Sequence, residues 1–282
     1  MISSAHFAVE DGSPGALLTP QESARSGWNG GSVLRGSAVS GALAREAERA
    51  VGDAGERLRP VRWTLDLFRP AGFRASAVSS TVVRRGRRLA LVDVEMTQDG
   101  VRVARATAQF LTGGAPVHGR TWTRPVTVCV PPPEVRPETS EPRLYYSEGV
   151  GWTGSPRPHQ NANRKRTWHF PIPIVPGEPP TPFQQAAMAA DFVNMVSNWG
   201  DHGIEFINTD VTLSLARLPD GSGVGLVAER REEHDGVSVS MAALVDRQGV
   251  VGFASVTGLA NGQVVDPRVQ WDASSEPGAL PR

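Results

Sequence analysis

Between Pro179 and Gly200 the chain carries a single charged side chain, Asp191, in the run Met188-Ala189-Ala190-Asp191-Phe192-Val193-Asn194-Met195. A carboxylate among apolar neighbours loses hydration, and its pKa rises unless hydrogen bonds or cations compensate. Near neutrality such a group can take a proton from water as a general base, or attack an electrophile itself. At helical spacing Met188 and Met195 lie at i−3 and i+4 from it, which leaves Gln184 and Asn194 as the polar groups on its face. An aspartate in this position is equally satisfied by facing solvent or by accepting from backbone amides, so spacing leaves both uses open.

Other chemistries lack their residues. His6, His118, His159, His169, His202 and His234 show no metal-ligand spacing with Cys or Glu. There is no Gly-x-Ser-x-Gly elbow, no Walker A loop and no dinucleotide fingerprint. Cys129 is the single cysteine, which excludes an internal disulfide and a cysteine-rich zinc site. With 29 basic and 29 acidic residues the net charge is zero, which argues against a nucleic-acid partner. The basic tip Arg84-Arg85-Gly86-Arg87-Arg88 lacks interleaved aromatics. No run of about 18 apolar residues is present, so no membrane span is expected. Residues Met1 to His6 lack the layout of a signal peptide, and the cysteine usage fits a reducing cytoplasm.

The elements that must position Asp191 follow from pattern. In this chain of 282 residues, 39% are hydrophobic and 21% charged, enough apolar material for a real core. Residues 61–111 alternate as an antiparallel meander of about four strands, with Asp99-Gly100 as a hairpin signal. Residues 206–259 repeat that plan: Arg69 and Arg217 are 148 positions apart, Gly100 and Gly249 are 149. A constant offset of this kind marks an internal duplication. A helix is expected over Ser37 to Val51, after Gly27-Trp28-Asn29-Gly30-Gly31. A second is expected from the N-cap Thr181 and Pro182 to about Trp199, apolar nearly all round. Helix then sheet, twice, implies an α+β double hot-dog: two tandem repeats, each a central helix wrapped by a curved antiparallel sheet. The expected divisions are 1–112, a Pro/Arg-rich crossover over 113–180 with short strands, and 181–282.

The two-repeat layout, the Gly27-Trp28-Asn29-Gly30-Gly31 turn and Ala190-Asp191-Phe192 resemble the acyl-CoA thioesterase II group and its actinobacterial thioesterase-like relatives. His202-Gly203-Ile204, Phe206-Ile207-Asn208-Thr209-Asp210-Val211-Thr212 and Leu215-Ala216-Arg217-Leu218-Pro219 are similar to patterns in that family's C-terminal half. The resemblance implies hydrolysis of an acyl-CoA thioester with no cofactor beyond the CoA of the substrate. It implies that Asp191 activates water, with Asn208 or Thr209 positioning it. The family's glutamine falls at Thr257, a departure that puts a shorter hydroxyl where an amide would stand. In the first half the equivalent of Thr257 is Gln109, and that of Asp191 is about Leu43, so at most one catalytic site per chain is expected.

Backbone amides at Gly30 and Gly31, or at a helix start, could serve the oxyanion; turn geometry explains those glycines equally well. Arg217 and the cluster Arg164-Lys165-Arg166 are candidates for the CoA phosphates, or are solvated surface charges. A homo-oligomer is expected, as in the family. The alternative function is a non-catalytic acyl-CoA or lipid-ligand binder of the same fold.

Overall fold

The alternating segments form strands, and the helical stripes form helices that cover one face of them. The protein is described from a computed structural model over residues 5–9, 17–26, 31–52, 58–115, 118–123, 125–138, 141–221 and 223–270. The first half holds β1 (Phe7–Val9), β2 (Leu17–Pro20), α1 (Gly36–Val51), β3 (Arg59–Leu67), β4 (Ser76–Arg85), β5 (Leu89–Gln98) and β6 (Val101–Leu111). The crossover contributes β7 (Arg143–Ser147), β8 (Gly151–Thr153) and β9 (Lys165–His169). The second half holds α2 (Pro182–Ala190), α3 (Val193–Asn198), β10 (Trp199–Gly200), β11 (Gly203–Asn208), β12 (Asp210–Leu215), β13 (Val224–His234), β14 (Val237–Asp246), β15 (Gly249–Val265) and α4 (Pro267–Gln270). Asp99 and Gly100 have φ of 50° and 75°, the type I′ turn whose twist matches its flanking strands β5 and β6.

One antiparallel sheet runs in the order β1-β2-β4-β5-β6-β3-β12-β15-β14-β13-β9-β7-β8, with β11 attached to β15 and β10 to β11. The halves join along β3 and β12, where Thr64 faces Thr212 and Trp63 faces Leu213. On either side of this seam the strand plan is the same, run in reverse. β4, β5 and β6 begin at Ser76, Leu89 and Val101; β13, β14 and β15 begin 148 residues later, at Val224, Val237 and Gly249. The crossover strands extend the sheet beyond β13, through pairing of β9 with β13 and of β7 with β9.

The core lies between the sheet and the helices. Every second residue of β5, from Ala90 through Val92 and Val94 to Met96, is buried, as a half-covered strand requires. Helices α1 and α2 meet through small residues. A β-carbon on Gly41 would lie 2.3 Å from Ile174 Cδ1 and 2.8 Å from Met188 Cγ, so any side chain there would force those two to shift. At the same contact Ser40 Oγ donates to the Ala187 carbonyl at 2.8 Å and accepts from Trp63 Nε1 at 3.2 Å, which satisfies a fully buried hydroxyl.

The second helical stretch departs from expectation. Thr181 caps it, its Oγ1 accepting from the Gln184 N–H at 3.1 Å, and Pro182 takes the first position. The expected single helix to Trp199 is broken, however: α2 ends at Ala190, and the chain turns at Asp191 and Phe192 before α3. Asp191 is therefore a helix-terminal residue and not one buried in mid-helix. The turn swings its carboxylate away from α2 and toward the first half.

Candidate active site

The start of α1 defines the site. Its N-cap, Arg35, makes no side-chain cap bond, so the first N–H groups of the helix need partners elsewhere. The backbone N–H of Ser37 donates to the carboxylate of Asp191. A residue from the other half thus caps α1, and the helix dipole favours its negative charge. Gly36 makes room for it: a β-carbon there would lie 2.3 Å from Asp191 Oδ1 and 2.7 Å from Oδ2. From the end of β11, Asn208 Nδ2 donates to Asp191 Oδ1 at 3.1 Å.

Two arginines and a glutamate complete the surroundings. Arg35 Nη1 pairs with Glu141 Oε2 at 2.6 Å, and Arg143 Nη2 approaches the same oxygen at 3.3 Å. The Arg143 guanidinium lies 3.6 Å from the centroid of the Phe192 ring, and His169 stacks on that ring at 4.6 Å. Phe192, the residue after Asp191, is thereby clamped. Burial pushes the Asp191 carboxyl up to about 6; the Asn208 bond, the Arg143 charge, the Ser37 amide and the Arg35 charge pull against that rise. Burial also drives His169 well below the usual imidazole range, with Arg143 adding to the effect, so it stays neutral beside the arginine.

A cavity of about 810 Å³ opens onto Asp191 from between the halves. Gly36 and Arg35 line it from α1, Asn208 and Thr209 from the end of β11, and Phe68 and Arg69 from the turn after β3. A bulge shapes its far wall. Ile204 pairs with Val265 but Phe206 with Ala260, so extra residues of β15 are pushed out of register, and Asn261 and Gln263 among them reach the cavity.

Of the residues singled out in the sequence, Asp191 and Asn208 are brought together. Thr209 lines the same cavity, but its Oγ1 turns to the Thr257 carbonyl and to Asp210 Oδ1, each at 3.2 Å. Thr257 does not reach Asp191. Along β15 the buried side is held by Ala254, Val256 and Gly258, so Thr257 projects from the opposite face. The helix-facing position is Gly258, whose missing β-carbon leaves room for Ser238, Phe206 and Asn198. Gln109 shares this parity, between the buried Ala108 and Phe110. Leu43 is fully buried in the core.

The substrate-binding candidates fare differently. Gly30 lies outside the described residues. Gly31 has φ of 76° and its carbonyl accepts from Arg25 Nη1 at 2.6 Å; it is a turn residue away from the cavity lining. Arg217 is held by the buried Asp246, with contacts of 2.5 and 2.6 Å, and does not line the cavity. Lys165 is buried on the carbonyls of Asn161 and Asn163 at 2.6 and 2.7 Å, Arg166 stacks over Tyr146 and Arg164 is exposed; none of the three lines the cavity. Sequence reasoning missed Arg35, Gly36, Ser37, Glu141 and Arg143. Their common signal was weak: a glycine at a helix start after an arginine, and charged residues ahead of the alternating run Arg143–Ser147. Among the described residues no group of three or more His, Cys, Asp and Glu could hold a metal ion.

Solved structures share this fold. The chain is similar in structure to an acyl-CoA thioesterase II from Mycobacterium marinum, with 14% identity over 90% of this chain and 95% of that one, at a TM-score of 0.62. It is similar to the tesB protein of Mycobacterium avium subspecies paratuberculosis, with 13% identity over 90% and 95% and a TM-score of 0.62. A hot-dog-fold protein of unknown function from Alicyclobacillus acidocaldarius matches with 18% identity over 92% and 97%, at a TM-score of 0.60. At such identities these likenesses show the fold, which is the hot-dog fold. No curated protein matches the sequence. Residues 24–111 match the family model of the acyl-CoA thioesterase N-terminal domain and residues 122–259 that of the C-terminal domain, so the chain belongs to the acyl-CoA thioesterase family.

Proposed function

We propose that the protein hydrolyses acyl-CoA thioesters to a free acid and CoA, with Asp191 as the general base. The observation that carries this reading is a carboxylate with a pKa of about 6, held by Asn208 and the start of α1, at the wall of a cavity large enough for an acyl thioester. A base of that strength is ionised at neutral pH yet accepts a proton from attacking water with little penalty. Water oxygen bonds to the thioester carbon as its proton passes to Asp191. The tetrahedral oxyanion then re-forms the carbonyl, the carbon–sulfur bond breaks, and the departing thiolate takes the proton back from Asp191. The start of α1 lines the same cavity at Gly36, and the positive end of that helix favours the oxyanion. The thioester is already activated, so the step requires no metal or redox cofactor.

On this reading each half is one hot-dog unit, and the molecule is a double hot-dog with the catalytic carboxylate of the second unit served by the helix of the first. The reversed strand order about β3 and β12 supports it. Self-association is part of the proposal: Val237, Val239 and Leu259 stand exposed side by side on the outer face of β14 and β15. Among the described residues no helix is long and apolar enough to cross a membrane. A cytoplasmic location is proposed from the single cysteine.

A binding protein without turnover is the second reading. It is favoured by Thr257, where the family's glutamine falls: its side chain projects from the face of β15 opposite the buried Val256 and Gly258, so it holds no water beside Asp191. Multiple turnover on short-, medium- and long-chain acyl-CoAs, followed as free thiol, decides between them. Saturable binding with no thiol release would overturn the hydrolase.

A further inference from the structure

The two halves diverge at one pair of equivalent arginines. Arg69 and Arg217 are 148 positions apart, the offset that also relates Gln98 to Asp246 and Gly72 to Asp220. In the second half the buried Asp246 holds Arg217 in a two-pronged pair at 2.5 and 2.6 Å and accepts the Asp220 N–H at 2.9 Å. In the first half Gln98 stands where that carboxylate would be. It accepts the Gly72 N–H at the same 2.9 Å, while its Nε2 donates to the Gly72 carbonyl at 2.8 Å and to Ser76 Oγ at 3.0 Å. The backbone bond is kept and the charge is not.

A neutral amide already engaged on both ends offers a guanidinium no ion pair. Among the described residues Arg69 makes no hydrogen bond or ion pair. It is exposed, and it lines the cavity that reaches Asp191. Phe68 beside it is 50% exposed and lines the same rim, where the second half has Ala216. Asp266 on that rim is neutralised by Arg268 at 2.7 Å.

We infer that Arg69 binds the phosphates of the CoA moiety at the cavity mouth, with Phe68 presenting its ring face to the adenine. The inference rests on the acyl-CoA reading of the cavity. Phosphates stay hydrated, so their partner belongs at the exposed rim while the thioester enters toward Asp191. Arginine suits them because its planar fork meets phosphate oxygens two at a time. An aromatic face beside it adds base stacking. Arg217, its counterpart, is used to hold the second half together.

The test is calorimetric titration with CoA itself at about 20 mM and about 200 mM salt, on wild type and Arg69→Gln, since surface charge contacts weaken as salt screens them. The exposed site leaves folding unaffected. Wild type should bind more weakly at the higher salt; Arg69→Gln should bind about tenfold more weakly at low salt and lose most of that salt dependence. Equal affinity in the two proteins, a weakened variant with the wild-type salt dependence, or no binding of CoA by wild type would each overturn the inference. Because binding is read without turnover, a protein that binds CoA through Arg69 but releases no thiol from acyl-CoA would overturn the hydrolase alone.

Discussion

Gly36 and Asp191 occupy each other's space: a β-carbon on Gly36 would sit 2.3 Å from Asp191 Oδ1, far inside van der Waals contact. The first residue of α1 is a glycine at a point where a carboxylate from the other half takes the place of its side chain. Gly36→Ala should therefore push the carboxylate off the Ser37 amide and out of alignment with bound water. A misplacement on the order of 1 Å costs on the order of 10²-fold in rate. Steady-state kinetics with a circular dichroism check of folding would test this, and wild-type turnover in the alanine variant would contradict it.

Asn208 acts on the proton affinity of Asp191. Its amide stabilises the charged carboxylate, so in Asn208→Ala the already raised carboxyl should rise further. For wild type, kcat/KM should fall as pH drops below about 6, because the base is then protonated. In the variant that acid limb should move to higher pH. An unmoved limb would separate Asn208 from the ionisation that matters.

Thr257→Val should leave kcat/KM nearly unchanged, since this side chain projects from the face of β15 opposite the buried Val256 and Gly258. A large loss would restore threonine to the water-holding set. Sequence pattern has power where the signal is local or periodic. The α1 stripe, the Asp99-Gly100 turn and the constant offset between repeats are local or periodic signals, and each has its counterpart in the structure. Asp191 stood out as a lone charge in an apolar run. Gly36, Ser37, Arg35 and Arg143 did not, because they come to it only when the halves meet across β3 and β12. Thr257 is singled out through the family resemblance, and the face of β15 that it takes is set by the register of β15 on β14, which no single residue announces.

The Arg217–Asp246 pair should matter for stability and not for turnover. Burial alone would raise the Asp246 carboxyl; Arg217 and the N–H groups of Asp220 and Gln248 outweigh that and hold it at about 2. A carboxyl depressed in the folded state contributes stability above its unfolded pKa and loses it as pH falls through the folded value. That contribution, about 2 kcal/mol, should be present above about pH 4 and lost between about pH 4 and pH 2. Arg217→Gln should lower stability by about 1–3 kcal/mol in urea at neutral pH with KM for acyl-CoA unchanged. A raised KM at full stability would return Arg217 to the substrate site.

Free-thiol release from acyl-CoA by wild type and by Asp191→Asn, side by side, tests the central claim most directly. The amide keeps the size of the carboxylate and removes its basicity. Turnover by wild type and a loss of about 10²–10⁴-fold in a folded variant is the expected result. Equal turnover in the two proteins would contradict Asp191 as the base.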